Sequence, residues 1–182
     1  MPMLHPPLHR LFFAFRPPAG AVGHIAAEQG RFGPGRRIRC RHFHITTAIL
    51  ADYATFPQAQ ADRMIAAGDM LPVDAFRLIL DLAVASDSSV ALRPSEPLPA
   101  LHAFQKRLAY AMRDAGLAMR PRWRFHPHMT LLYRAGLRFA VPVDAISWQA
   151  TEFVLIDSLV GLGRHEVLAR WPLRVSRAAA LC

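Results

Sequence analysis

A short pattern occurs twice in this chain and constrains its fold more than any other feature. One copy reads HFHITT and the other HPHMTL, so each contains H-x-H-x-T, and the copies lie 84 positions apart. Alternate residues of an extended strand point to the same face, so His44 projects together with Thr46, and His128 together with Thr130. The repetition predicts two similar lobes, each giving one motif strand to a central cleft.

The remaining sequence predicts one α+β domain over residues 1–182, with the first ten residues flexible because they carry three prolines. The hydrophobic fraction of 53% is ample for a packed interior. Helices are predicted over 19–29, 58–67 and 101–115, and extended segments over 11–15, 38–50, 76–85, 90–93, 129–133, 151–160 and 166–171. Because hairpin-like strand pairs alternate with helices, we expect largely antiparallel sheets with flanking helices.

No apolar run approaches the roughly 18 residues that a membrane helix needs. The two cysteines, Cys40 and Cys182, do not indicate a disulfide framework. We therefore expect a cytoplasmic monomer that has no membrane partner.

The chain is strongly basic, with a formal net charge of +9, and Lys106 is its only lysine. Many of the arginines precede the two motifs: Arg31, Arg36, Arg37, Arg39 and Arg41 before the first, and Arg120, Arg122 and Arg124 before the second. Guanidinium groups bind phosphate with a fixed two-pronged geometry, so this distribution favours an anionic substrate such as nucleic acid. Two alternative explanations are that the arginines form only a solvated basic surface, or that their number reflects a GC-rich genome.

Two imidazoles and two hydroxyls in one cleft suit a phosphodiester reaction that uses no metal. One histidine acts as base, the other as acid, and the neutral threonine hydroxyls donate to the phosphate oxygens. A zinc site is the chemical alternative, because His42 shares a strand face with His44, and His126 with His128. The surrounding arginines would repel a cation, so we expect no metal and no cofactor.

At these residues the chain resembles the two-histidine (2H) phosphoesterase superfamily, and within it the bacterial 2'-5' RNA ligase / RNA 2',3'-cyclic phosphodiesterase group. The segments HITT and HMTL match the two H-x-[S/T]-hydrophobic motifs of that family. RLFFAFRPP, FHPHMTLLYR and the final FVLIDSL…HEVLARWPL are similar to the first strand, the second motif region and the closing hairpin of the family.

The chain departs from the family pattern at two points. Thr47 stands where the first motif normally has a large hydrophobic residue. Relatives often have an arginine five positions after the second histidine, where this chain has Tyr133 followed by Arg134. Counting by twos, Arg134 is in phase with His128 and Thr130, although a small β-bulge would exchange it with Tyr133.

The resemblance implies a bilobal fold with a pseudo-two-fold cleft and hydrolysis of a 2',3'-cyclic phosphate at an RNA or nucleotide end to a 2'-phosphomonoester. We assign His128 as base and His44 as acid, an assignment that the symmetry allows to be reversed. Thr46 and Thr130 then complete the catalytic set.

Arg134 and Arg124 are expected to bind the substrate, and Tyr133 or Phe13 to stack on a base, with a place in the core as the alternative for Phe13. A free phosphate or sulfate is expected to occupy the same cleft. Run in reverse, the site would join a 2'-5' linkage between RNA ends. A non-catalytic protein that binds RNA ends is the alternative of a different class.

Overall fold

The computed structural model describes residues 7–175, which form two antiparallel sheets and three helices. The strands are β1 (His9–Phe15), β2 (Arg36–Arg37), β3 (Ile45–Tyr53), β4 (Phe76–Ala85), β5 (Ser89–Arg93), β6 (Met129–Tyr133), β7 (Phe139–Ala150), β8 (Glu152–Leu159) and β9 (Arg164–Pro172). The helices are α1 (Ala19–Arg31), α2 (Gln58–Asp69) and α3 (Pro99–Asp114). A 3₁₀ turn at Cys40–His42 precedes β3.

The first sheet has the strand order β3-β1-β8-β9, and the second has the order β2-β6-β5-β4-β7. The first motif leads into β3, an edge strand, and the second leads into β6, which is covered at the edge only by the two-residue β2. Each motif strand pairs antiparallel with the strand that precedes it across a helix, β1 in one sheet and β5 in the other. The α+β, two-lobed architecture predicted from the repeated motif is therefore confirmed.

Two of the helices, α1 and α3, connect the two sheets. Helix α1 leaves β1 of the first sheet and packs on β6 and β7 of the second. Helix α3, which leaves β5 of the second sheet, packs on β3 of the first and also contacts β4. None of the helices in residues 7–175 is long and apolar enough to cross a membrane.

Chain-breaking residues delimit these helices. Pro18 precedes α1, Pro57 precedes α2, and Pro99 occupies the first turn of α3, where a missing backbone N–H costs nothing. One face of α3 is buried and carries apolar residues at spacings of three and four: Leu101, Phe104, Leu108 and Met112. Gly116 follows α3 at a φ of 72°, a conformation that glycine adopts without steric cost.

β1 is buried on both faces, which is why its sequence from Leu11 to Phe15 is entirely apolar. One face belongs to the main core. The other packs Phe12 in a small cluster with Ile49, Val154 and Ile156. This second face is the one that carries the first motif, and we call it the cleft face of the first sheet.

The first ten residues were expected to be flexible, but His9 and Arg10 already pair within β1. Arg10 donates two hydrogen bonds to Asp52 of β3, which also contacts Arg120. This ion pair attaches the segment before the second motif to the first sheet. Residues 1–6 of the expected flexible segment, and Cys182, lie outside the described residues.

Candidate active site

Both motif histidines are held by the same hydrogen bond. Nδ1 of His44 lies 2.7 Å from the backbone carbonyl oxygen of His42, and Nδ1 of His128 lies 2.7 Å from that of His126. A carbonyl oxygen only accepts, so Nδ1 of each ring carries a proton and donates it. In the neutral form, Nε2 of each imidazole is therefore the unprotonated nitrogen. Two equivalent proton-transfer atoms result, one from each motif.

A β-bulge follows the first motif. Thr46 lies opposite Ala14, and Ala48 lies opposite Phe13, so Thr47 is the extra residue of β3. Its side chain is completely buried, and its hydroxyl donates to the carbonyl oxygen of Phe13 at 3.2 Å. A threonine therefore fits where relatives have a large apolar residue, because its polar atom is satisfied.

The second motif strand carries a bulge at the corresponding position. Thr130 pairs with Ala91 and the next pair begins two residues later, so Leu131 is the extra residue of β6. The carbonyl oxygen of Leu131 accepts from the backbone N–H of Ile38 at 2.8 Å and from the Gln29 amide at 2.7 Å. In both motifs the residue after the threonine is therefore the bulge, and protein donors or acceptors stabilise it.

Each motif histidine has an arginine as its cross-strand neighbour. Continuing the β1–β3 ladder by one residue places Arg16 opposite His44, and continuing the β5–β6 ladder places Arg93 opposite His128. Burial is the largest cause of the lowered pKa of both histidines, and the charges of Arg16 and Arg93 respectively lower it further. The pseudo-symmetry of the site therefore includes these two arginines, which were not predicted.

The two motifs are electrostatically coupled across the cleft. Burial lowers the pKa of His44 to about 4, and the charge of His128, in the other sheet, contributes to that decrease. Repulsion between two imidazoles requires them to be near one another. A group with this pKa is protonated at pH 7 in about one molecule in a thousand, so His44 is a neutral imidazole at that pH.

A pocket of about 120 Å³ lies beside His44 on the cleft face of the first sheet. Its wall includes His165 of β9, whose ring stacks on that of His42 at 4.1 Å and meets that of His44 edge-on at 5.5 Å. Burial lowers the pKa of His165 to about 3, and the charges of His44, His42 and Arg16 lower it further. Sequence reasoning missed His165. Its alternation with Val167 was the available signal, although His165 stands one residue before the strand predicted over 166–171.

Of the two arrangements expected for Arg134 and Tyr133, the structure has the one with a β-bulge. The role of Arg134 in substrate binding stays a prediction. Because of the bulge at Leu131, Tyr133 and not Arg134 follows Thr130 on the cleft face. The Arg134 guanidinium lies 5.6 Å from the ring of Phe139, on the opposite side of β6.

An arginine from another strand lies next to Tyr133 instead. β2 pairs Arg36 with Tyr133, and the Arg36 guanidinium lies 4.5 Å from the centre of the tyrosine ring. Gly35 allows this approach, because a Cβ there would meet the Tyr133 carbonyl oxygen at 2.8 Å. The cleft face of the second sheet therefore presents an exposed aromatic ring and a cation beyond Thr130.

Phe13 cannot stack on a base. Its side chain is 0% exposed and packs against Phe153 and Trp171 in the core. Its neighbour Phe12 points to the cleft face, where its ring lies 4.8 Å from that of His44. Arg124 is exposed, and its role in substrate binding stays a prediction.

The four-histidine zinc alternative loses its geometric basis. His42 lies in the 3₁₀ turn and not in the predicted strand, and His126 precedes β6, so neither shares a strand face with its motif partner. Within residues 7–175, no group of three or more histidine, cysteine or acidic side chains is arranged to hold a metal ion.

Comparisons of the sequence with family models and of the structure with solved structures point to the same family. The model of the 2'-5' RNA ligase superfamily matches residues 15–161. E. coli LigT in complex with 3'-AMP is 28% identical, with a TM-score of 0.76, covering 91% of this chain and 98% of that chain. LigT in complex with phosphate gives 28% identity and a TM-score of 0.73, with 92% and 99% covered.

A solved structure described as a phosphoesterase is also 28% identical, with a TM-score of 0.76 and 93% and 99% of the two chains covered. A search of curated proteins found no match. Because the family match runs through both histidine motifs and the fold agrees over 91% of the chain, this protein belongs to the 2'-5' RNA ligase superfamily of 2H phosphoesterases.

Proposed function

We propose that this protein hydrolyses 2',3'-cyclic phosphates at RNA or nucleotide ends to 2'-phosphomonoesters without a metal ion. The observation that carries the proposal is the matched pair of Nδ1 hydrogen bonds, which leaves Nε2 of both motif histidines available for proton transfer. A protein that only binds RNA ends has no need of two such groups. LigT was solved in complex with 3'-AMP and with phosphate, which is consistent with a nucleotide ligand at this kind of site.

The pKa values favour His44 as the base, the reverse of our assignment from sequence. The base must be neutral before the reaction, and His44, with a pKa of about 4, meets that condition over the whole neutral range. His128 then acts as the acid. An anionic phosphate bound between the two rings raises the pKa of His128, because an opposite charge favours the protonated form.

The proposed reaction has one displacement at phosphorus. Nε2 of His44 takes a proton from water, whose oxygen forms a bond to phosphorus while the bond from phosphorus to the 3' oxygen breaks. Nε2–H of His128 gives its proton to the departing 3' oxygen, which leaves a 2'-phosphate and a 3'-hydroxyl. Thr46 and Thr130, half-buried beside the histidines, donate hydrogen bonds to the non-bridging oxygens as negative charge builds.

The same site would support ligation if a 5'-hydroxyl replaced water. That hydroxyl would lose its proton to His44, and its oxygen would form the new bond to phosphorus, giving a 2'-5' linkage. The open cleft face around Tyr133, which is 41% exposed, leaves room for a second RNA end. Hydrolysis remains the first proposal because water needs no binding site of its own.

Product analysis tests the proposal. An oligonucleotide ending in a 2',3'-cyclic phosphate is incubated with EDTA and the wild-type protein, His44→Gln or His128→Gln, with Lys106→Gln as the control. Lys106 is exposed on α3 and outside the site. We expect a 2'-phosphate from the wild type and the control, and none from either histidine variant. A 3'-phosphate product, or activity that EDTA abolishes, contradicts the proposal.

A further inference from the structure

The lining of the pocket beside His44 includes no residue of the second motif. It opens on the β8–β9 side of His44 and is lined by Arg16, Arg41, His42, Phe43, His44, Ile156, His165 and Val167. His44 is its only member from the catalytic set. A ligand group in this pocket would therefore lie next to a phosphate held by His44, without displacing it.

The pocket carries positive charge that nothing in the described structure neutralises. Its lining contains two arginines and three histidines but no acidic residue. Within residues 7–175, neither Arg16 nor Arg41 forms a salt bridge. Arg16 donates one hydrogen bond, to the carbonyl oxygen of Arg41 at 2.9 Å, which uses one of the five N–H groups of a guanidinium. This hydrogen bond fixes the position of the Arg16 guanidinium and leaves its other N–H groups available to a ligand.

The imidazoles of the pocket are preorganised for an anion. His42 is fixed by its stacking on His165 and by a hydrogen bond from Nε of Arg41 to its Nε2 at 3.3 Å. Burial lowers the pKa of His42, and the charges of Arg41, Arg39 and Arg16 lower it further. An anion held by Arg16 and Arg41 would favour the protonated forms of these imidazoles, because an opposite charge raises their pKa.

Phosphate is the anion that fits this donor set. Guanidinium groups bind phosphate oxygens through paired N–H donors, and the pocket lining holds two arginines and no acidic residue, which favours an oxyanion over a neutral base. A cyclic phosphate at the 3' end of an RNA has no nucleotide beyond it. The nearest other phosphate in the covalent structure is therefore the 5' phosphate of the same nucleotide.

We propose that Arg16, Arg41, His42 and His165 form a second phosphate subsite, which binds the 5' phosphate of the nucleotide whose 2',3'-cyclic phosphate reacts at His44 and His128. The proposal rests on the proposed function, which it deepens by naming the substrate class. The protein would then act on nucleotides that carry a 5' phosphate, as the 3'-terminal nucleotide of an RNA chain does, in preference to nucleoside cyclic phosphates.

Kinetics on two small substrates test the subsite. The kcat/KM of uridine 2',3'-cyclic phosphate is compared with that of its 5'-phosphorylated form, for the wild type, Arg16→Gln, His165→Asn and the control Lys106→Gln. Two or more charge-assisted hydrogen bonds predict an advantage of roughly tenfold or more for the 5' phosphate. We expect the wild type and the control to show this advantage and both pocket variants to lose most of it. Equal kcat/KM values in the wild type overturn the subsite.

Equilibrium binding separates failure of the subsite from failure of the proposed reaction. Calorimetry compares uridine 2'-phosphate with uridine 2',5'-bisphosphate, and it requires no turnover. If the wild type hydrolyses neither substrate but binds the bisphosphate roughly tenfold more tightly, and Arg16→Gln does not, the subsite stands and the proposed reaction fails. Equal affinities in the wild type overturn the subsite whatever the kinetics. Thermal unfolding of each variant verifies that it is folded.

Discussion

The pH dependence of kcat/KM tests the assignment of His44 as the base. This parameter follows the protonation of the free enzyme, so the acid side of its profile reports the pKa of the base. At pH 5 a histidine with a pKa of 6.5 is neutral in about 3% of molecules, whereas one with a pKa of about 4 is neutral in about 90%. If the base has the lowered pKa, kcat/KM at pH 5 is therefore almost as high as at neutral pH. If its pKa is 6.5, kcat/KM at pH 5 is lower by about thirtyfold.

The alkaline side reports the acid, His128. Its pKa is lowered from 6.5, because burial and the charge of Arg93 outweigh the hydrogen bond to the His126 carbonyl, which raises it. The free enzyme therefore loses the protonated form of His128 as the pH rises toward 6.5 and beyond. We expect the maximum of kcat/KM on the acid side of pH 6.5. The profile of kcat should lie at higher pH, because bound phosphate raises the pKa of His128.

The assay follows hydrolysis of a 5'-phosphorylated uridine 2',3'-cyclic phosphate between pH 4 and pH 9 at constant ionic strength. Circular dichroism at each pH separates titration of the site from acid unfolding. An acid limb with its midpoint near pH 6.5, or a profile flat from pH 5 to pH 9, would refute the assignment.

Three further predictions concern neighbouring residues. Thr130→Val should lower kcat by about 10²–10³ with little change in thermal stability, because it removes one donor to the phosphate; an unchanged kcat means that the hydroxyl does not contact the substrate. Gly35→Ala should destabilise the fold by about 1–3 kcal/mol in urea unfolding, because its Cβ would lie 2.8 Å from the Tyr133 carbonyl oxygen; unchanged stability would show that β2 moves freely. The melting temperature should fall as the pH drops from 6.5 through about 4 and on to about 3, because the unfolded chain binds protons at His44 and His165 that the buried rings of the folded chain do not bind. His165→Phe should reduce this dependence, and an equally steep loss in that variant would contradict it.

The two motifs of the candidate site could be recognised in the sequence because their signal is local. Each motif fits within six residues, and the alternation of a strand determines which side chains of a motif project together. β4 and β6 have the predicted bounds for the same reason, since their apolar patterns are continuous. The predicted helices also agree with α1, α2 and α3 to within a few residues.

The parts that could not be predicted depend on partners distant in sequence. A bulge is a mismatch between two strands, so nothing within β6 alone shows that Tyr133 and not Arg134 faces the cleft. His165 reaches the first motif from a strand more than a hundred residues later. β7 has no predicted counterpart because Pro142 and exposed polar residues interrupt its pattern, which an edge strand tolerates.

The exchange of helices between the sheets makes the two halves of the cleft inseparable. A fragment with the first sheet alone would lack α3, and one with the second sheet alone would lack α1, so each would expose apolar surface to water. Hinge opening of one lobe against the other would break the same contacts. The separation of His44 and His128 is therefore set when the chain folds, and a ligand that enters the cleft meets both motifs already in place.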